Sequence, residues 1–245
     1  MKGATSNQST NQNKENTMNR KTALKTMVLG AGAIGAGAAN AKDKPANKKE
    51  LTIRNKDVYT DGKFDEEKAK DAIMKLCEYH GYPVFPELRE GLWVSDYGTG
   101  KFTEFGLAAY MYINEVEDRY MQMDLFLTPH QMLPEHWHLE AEGNPAKLEA
   151  WVVRYGKSYI VGIGGDNLAE HPEVIVPKCH DGGKTMTKHV IPTTPGQCVK
   201  LAKVESRHWQ FAGAEGAIVT EVANVHTNSG VRHTDKAAND FFLNA

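Results

Sequence analysis

Apolar positions recur at two different periods along this chain. Over residues 64–80, Ala69, Ala72, Ile73, Leu76 and Cys77 fall at helical spacing, Asp65-Glu66-Glu67 open the segment and Gly81 follows it. This predicts one helix over 64–80, with its acidic first turn at the positive end of the helix dipole. Beyond Tyr82 no second long amphipathic helix is predicted. Short runs take over, at 106–113, 120–127, 134–139, 149–155, 158–163, 174–176, 189–191, 197–201 and 217–225, after an earlier one at Leu51-Thr52-Ile53. Turn residues separate them, among them Gly156, Gly164-Gly165, Gly182-Gly183 and Pro195-Gly196. Many short strands at this spacing predict an all-β sandwich, jelly roll or barrel behind an N-terminal helix.

The first 41 residues do not share that pattern. Residues 1–17 are almost wholly polar and cannot pack. Residues 30–35 read Gly-Ala-Gly-Ala-Ile-Gly, which matches a dinucleotide-binding fingerprint, but no second strand follows at the distance that fold requires. A basic Asn19-Arg20-Lys21-Thr22-Ala23-Leu24-Lys25 precedes this stretch and Ala39-Asn40-Ala41 ends it, which describes a secretory signal over 18–41. Its Arg20-Lys21 pair is similar to a twin-arginine signal with the second Arg replaced, so Tat-like and Sec export both stay open. Met18 opens a better-formed signal than Met1 does. The expected domain plan is an extension and signal over 1–41, a linker with a short strand over 42–63, and one domain over 64–245, exported to the periplasm.

Composition narrows the partners. A formal net charge of -2 without a basic face argues against nucleic acid, and no run reaches the ~18 apolar residues of a membrane span. Cys77, Cys179 and Cys198 form no CxxC pair. A Cys179–Cys198 bridge is compatible with export but not decided by spacing.

The chemistry gathers around Pro134-Glu135-His136-Trp137-His138. Strand side chains alternate with period 2, so His136 and His138 share a face in β context and can converge on a divalent metal with a carboxylate. Further on, Thr194-Pro195-Gly196-Gln197 makes a turn, and His208 stands twelve residues after Gly196. An HxH pair followed by a Glu, then a Pro-Gly turn followed by a His, resembles the two motifs of a cupin. The resemblance implies a cupin double-stranded β-helix (jelly roll) with His136, His138, Glu149 and His208 as metal ligands. Glu140 and Glu142 compete for the carboxylate place, and Glu142 has the commoner cupin spacing.

A narrower resemblance favours Glu149. Asp96-Tyr97-Gly98-Thr99-Gly100-Lys101-Phe102, Gly106-Leu107, Gln131-Met132-Leu133-Pro134-Glu135-His136-Trp137-His138, Lys147-Leu148-Glu149 and Glu221-Val222-Ala223 occur in the order seen in D-lyxose isomerase-like sugar isomerases. There the metal carboxylate follows a lysine by two residues. The resemblance runs from about Tyr79 to the C-terminus and implies a metal-dependent aldose–ketose isomerase of a free pentose or hexose. Mn²⁺ is the implied cofactor, with Fe²⁺, Co²⁺ or Zn²⁺ open for such ligands, and a homodimer is implied as well. It departs at the C-terminal end, where the family has an Asn-Asp-Asp cluster and this chain has His226-Thr227-Asn228 with Arg232-His233 beyond. Gln131, His226, Arg232 and His233 are the candidate sugar contacts.

The chemistry of such a site has defined parts. The metal polarises a carbonyl and stabilises the enediolate, a carboxylate off the metal acts as base, and a second group moves the hydroxyl proton. Glu221 is the candidate base and Lys147 the candidate second group. Trp137, Trp151 and Trp209 are expected in the core, turned away from the site, and His80, His171, His180 and His189 on the surface. His130 is a candidate for the pocket mouth, and the Asp96–Gly100 turn is expected to be structural. Two rivals remain: an iron-dependent cupin dioxygenase, which uses the same ligand set, and a non-catalytic sugar-binding cupin.

Overall fold

The structure, a computed structural model, describes residues 50–244. The expected signal over 18–41, with its Met18 start and glycine-rich middle, lies outside the described residues. A one-turn 3-10 helix at Asn55–Val58 leads into a two-stranded hairpin, β1 (Tyr59–Thr60) and β2 (Lys63–Phe64). Asp61 and Gly62 take φ of 51° and 76° there, the backbone twist that closes a two-residue hairpin. No strand forms at Leu51-Thr52-Ile53.

Helix α1 (Glu66–His80) begins two residues later than the periodicity predicts, because Asp65 caps it by accepting from the Lys68 amide at 3.2 Å. Gly81, at φ 68°, ends it in the left-handed conformation. Its apolar stripe, Ala69, Ala72, Ile73, Leu76 and Cys77, is buried in one cluster with Ala108, Phe126 and Ile218. Those three lie in register across three strands, so α1 covers the outer face of the sheet. A one-turn helix, α2 (Leu88–Gly91), follows before the main sheet.

The sheet is antiparallel throughout. It comprises β3 (Trp93–Ser95), β4 (Leu107–Glu115), β5 (Tyr120–Leu127), β6 (Met132–His138), β7 (Glu149–Gly162), β8 (His189–Thr193), β9 (Cys198–Lys200), β10 (His208–Ala223) and β11 (Val231–His233). Two long strands curl it. In β10, residues from His208 to Phe211 pair with β6, whereas Ala217 to Ala223 pair with β5. In β7, Ala150 to Val152 pair with β9, whereas Ser158 to Gly162 pair with β8. Each strand thereby serves two halves of a jelly roll, and the inward-facing residues, among them Leu125, Val153, Val219 and Trp209, form a second buried cluster.

Several expectations change. The separate strands over 149–155 and 158–163 are one strand, in which Gly156 (φ 70°) is a bulge rather than a turn. Val174 is buried, but 174–176 is not a strand. Near the C-terminus, β11 and the helix α3 (Lys236–Leu243) were not foreseen. Cys77, Cys179 and Cys198 are free, so the Cys179–Cys198 bridge is not formed. Among the described residues no helix is long and apolar enough to cross a membrane.

Candidate active site

Strand alternation turns His136 and His138 of β6 toward the interior. His208, at the start of β10, is in register with His136, and Glu149 opens β7 beside the end of β10. One ligand atom from each of these four residues lies within 4.8 Å of the others. Glu149 Oε1 is 3.2 Å from His138 Nε2 and 3.0 Å from His208 Nε2. Two of the rings are pinned through their other nitrogen: His136 Nδ1 donates to Pro134 O at 2.8 Å, and His208 Nδ1 donates to Ser206 O at 3.0 Å. A carbonyl only accepts, so each Nδ1 carries the proton and each Nε2 keeps its lone pair for a metal.

The donor set fits a divalent cation. His138 Nε2, His208 Nε2 and Glu149 Oε1 are buried without a hydrogen-bond partner. Lone pairs crowded together away from water are costly unless a cation lies among them. The local field keeps two of the imidazoles neutral: burial pushes His136 well down and His138 down to about 4, the latter despite Glu149. For Glu149, burial works upward, but the charge of Lys147 and the flanking histidines hold it well below the usual carboxylate range. For His208 burial works downward, but Glu149, the Ser206 carbonyl and Glu221 together hold it above the ordinary histidine value.

Glu142 does not join the cluster. It is exposed and accepts from Ser229 Oγ at 2.6 Å, while Glu140 is exposed beside it. The reason is the insert: Ala141 and Asn144 bond to each other across a tight turn, with Glu142 and Gly143 at φ 54° and 74°. The extra residues loop out, and the chain re-enters the site at Lys147.

Lys147 precedes β7 and is buried. Its Nζ bonds Glu221 Oε1, lies 3.1 Å from Glu149 Oε2 and 3.4 Å from His226 Nδ1. Glu221 shares the inward face of β10 with Val219, and its Oε2 accepts from Trp151 Nε1 at 3.2 Å. Burial, offset in part by Lys147, pushes Glu221 up to about 7. Lys147 is raised, burial being outweighed by its two carboxylates, so it stays an ammonium.

Lys147 and Glu221 open with His136, His138, His226 and His233 onto a cavity of about 750 Å³, a size usual for small-molecule sites. Apolar walls come from Leu107, Ala109 and Met111 of β4, Met123 and Leu125 of β5, and Phe241 and Phe242 of α3, with polar Ser95, Asp96, Glu142, Asn228 and Ser229 among the rest.

Two of the expected sugar contacts are elsewhere. Gln131 is consumed by the β5–β6 turn, where Oε1 accepts from the Thr128 amide at 2.8 Å and Nε2 donates to Phe102 O. Arg232 alternates with the inward Val231 and His233, and its guanidinium caps Ser229 O and Val231 O at 2.7 Å each. His130 is exposed in the same turn as Gln131 and does not line the cavity. His180, expected on the surface, is buried: Nδ1 donates to Lys184 O at 2.7 Å and Nε2 accepts from the Glu135 amide at 3.4 Å. Asp96 does anchor its turn, with Oδ1 and Oδ2 accepting from the Gly98 and Gly100 amides at 2.9 and 3.0 Å. Trp209 is core, donating to Thr187 O at 3.1 Å. Trp151, by contrast, faces the site, its ring 5.0 Å from that of His208. It stands two residues from Glu149, and that parity was the signal available for finding it.

No family model matches the chain. Over 159 residues, 65% of this chain and 82% of the relative, it is 35% identical to the D-lyxose/D-mannose isomerase of Thermosediminibacter oceani. The chain belongs to the D-lyxose ketol-isomerase family. A second member, the D-lyxose ketol-isomerase of Cohnella laeviribosi, is 33% identical over 64% of this chain and 82% of its own length. Among solved structures, the L-ribose isomerase of Cellulomonas parahominis, determined with L-psicose, covers 73% of this chain and 95% of its own with a TM-score of 0.51. At 15% identity that likeness speaks to the cupin fold alone. Membership of the ketol-isomerase family makes the chain an aldose–ketose isomerase, which sets aside the dioxygenase and the non-catalytic binding module.

Proposed function

We propose that this isomerase interconverts a free aldose of the D-lyxose or D-mannose kind and its 2-ketose, using a divalent metal, Mn²⁺ foremost, held by His136, His138, Glu149 and His208. The observation that carries the reading is the contact between Lys147 and Glu221 beside that ligand cluster, in one cavity. The ion would supply Lewis acidity to the sugar carbonyl and its neighbouring hydroxyl.

The residues around it divide the proton work. Glu221, pushed up to about 7, is basic enough to take the proton from the carbon next to the carbonyl and acidic enough to return it to the former carbonyl carbon. Both transfers run through one carboxylate, so the proton stays on one face of the sugar. Lys147 is placed to move the other proton: it donates to the former carbonyl oxygen and recovers a proton from the neighbouring hydroxyl, ending as the ammonium it began. His233 is buried with Nδ1 unpartnered and lines the cavity, which suits it to a sugar hydroxyl able to donate or accept.

The test is a panel of aldoses incubated with pure protein and Mn²⁺ and assayed for ketose. Formation of xylulose or fructose is expected, and Glu221→Gln should lower kcat by about 10²- to 10⁴-fold at unchanged metal content. Full turnover in Glu221→Gln would remove it as the base.

A further inference from the structure

His226 reads in the sequence as a sugar contact, but its surroundings describe something else. Its backbone is clamped to β4 by one side-chain amide: Asn114 Nδ2 donates to His226 O and Asn114 Oδ1 accepts from the His226 amide, each at 2.9 Å. Its ring is fixed at both nitrogens. Nε2 lies 2.9 Å from Asn228 Oδ1, and Nδ1 lies 3.4 Å from Lys147 Nζ. An amide oxygen only accepts, so Nε2 carries the ring proton and Nδ1 presents a lone pair to the ammonium.

Lys147 has three N–H donors. Glu221 Oε1 and His226 Nδ1 take one each, and Glu149 Oε2 stands 3.1 Å away as an ion-pair partner. With two carboxylates alone, the ammonium could turn about its Cε–Nζ bond or slide toward either anion. A third partner, neutral and rigid, fixes where the charge sits.

We propose that His226, oriented by Asn228 and held by the Asn114 clamp, is a positioning residue that holds the Lys147 ammonium between Glu149 and Glu221. This rests on the catalytic role given to Lys147 above. It moves His226 from substrate recognition to the alignment of the catalytic pair.

Substitutions separate the ring's atoms. In Asn the Oδ1 occupies the place of His Nδ1, so His226→Asn keeps the acceptor for Lys147 and loses only the Asn228 bond. His226→Phe keeps the ring shape and loses both. With metal content equal in all forms, His226→Phe is expected to lower kcat about 10- to 100-fold with KM within about threefold, and His226→Asn to recover most of that loss. A rise in KM at unchanged kcat would return His226 to sugar recognition. Equal loss in Asn and Phe would show that the ring, not its Nδ1, matters. Either result overturns the proposal.

A second measurement stands apart from activity. In Zn²⁺-loaded protein with ¹⁵N in its lysine side chains, the buried Lys147 ammonium should give a slowly exchanging NMR signal that Lys147→Met abolishes. That signal should shift or broaden in His226→Phe and persist in His226→Asn. An unmoved signal in His226→Phe refutes the positioning, whereas a responsive signal in a protein that isomerises no aldose refutes the substrate reading alone.

Discussion

Trp151 and Glu149 stand two apart on β7, and strand parity therefore puts both on its inward face, beside His208. Reading Trp151 with Trp137 and Trp209 as turned away from the ligands ignored that parity, because those two are immediate neighbours of a ligand and Trp151 is not. Its indole does specific work, as the donor to Glu221 Oε2. Glu221 thus has one oxygen on Lys147 and one on Trp151, which fixes the plane of the carboxylate. Trp151→Phe keeps most of the bulk and removes only the N–H. We expect stability within about 1–2 kcal/mol of wild type and a fall in kcat of about tenfold, measured by urea unfolding and steady-state kinetics. Unchanged kcat would mean that Lys147 alone orients the base. The convergence of His136, His138, Glu149 and His208 into one cluster was legible because their identities and order carry the signal. Gln131 and Arg232 were misplaced because a polar side chain's hydrogen-bond partner, here a neighbouring backbone carbonyl or amide, leaves no trace in residue type.

At the scale of elements, the strands over 107–127 and the helix capped by Asp65 and Gly81 follow directly from periodicity and caps. The failures cluster where glycine has two meanings. Gly156 reads as a turn, yet it is a bulge that lets β7 run unbroken for 14 residues. Without that continuity β7 could not pair with β9 at one end and β8 at the other. Gly156 pairs with Ala217 of β10 and lies against the preceding Gly216, and both glycines have positive φ. A Cβ at Gly156 would stand 2.1 Å from Gly216 O, a backbone atom that cannot swing aside. Gly156→Ala therefore meets conformational strain and a backbone clash together, and should cost about 2–4 kcal/mol, read as a lowered urea midpoint with an unchanged m-value. Gly143, also at positive φ but with nothing near its missing Cβ, should cost clearly less on the same substitution. Parity of the two effects would show that φ alone, not the crossing of β7 and β10, sets the requirement. The elements missed outright, β1, β2, α2, β3, β11 and α3, are two to eight residues long, too short for periodicity to register.

Across the whole molecule, the curled sheet concentrates neutral imidazoles in its interior, and this ties stability to pH. Burial pushes His226 and His233 down to about 3 and His138 to about 4, in each case helped or opposed by nearby charge. In the unfolded chain each returns to about 6.5. Below that value the unfolded state binds protons that the folded state refuses, so folding stability falls as pH falls from about 6.5 toward 3–4. A single deeply buried group such as His233 contributes at most about 1.4 kcal/mol per pH unit within that window. Glu221 acts in the opposite sense: raised to about 7 when folded, it binds a proton between about 7 and its unfolded value near 4.3, offsetting one histidine over that range. His208, also raised in the folded state, acts with Glu221, but the lowered His136, His138, His226 and His233 outnumber the two, so the net change is a loss. Metal-free protein should show urea midpoints that decline steadily from pH 7 to pH 5, and His233→Phe should decline less steeply than wild type. Metal-loaded protein should decline more steeply still, because imidazoles must be neutral to bind the ion and acid releases it. Midpoints that hold level from pH 7 to pH 5 in the chelated protein would mean that the interior admits the protons, and that these imidazoles are far better hydrated than their burial implies.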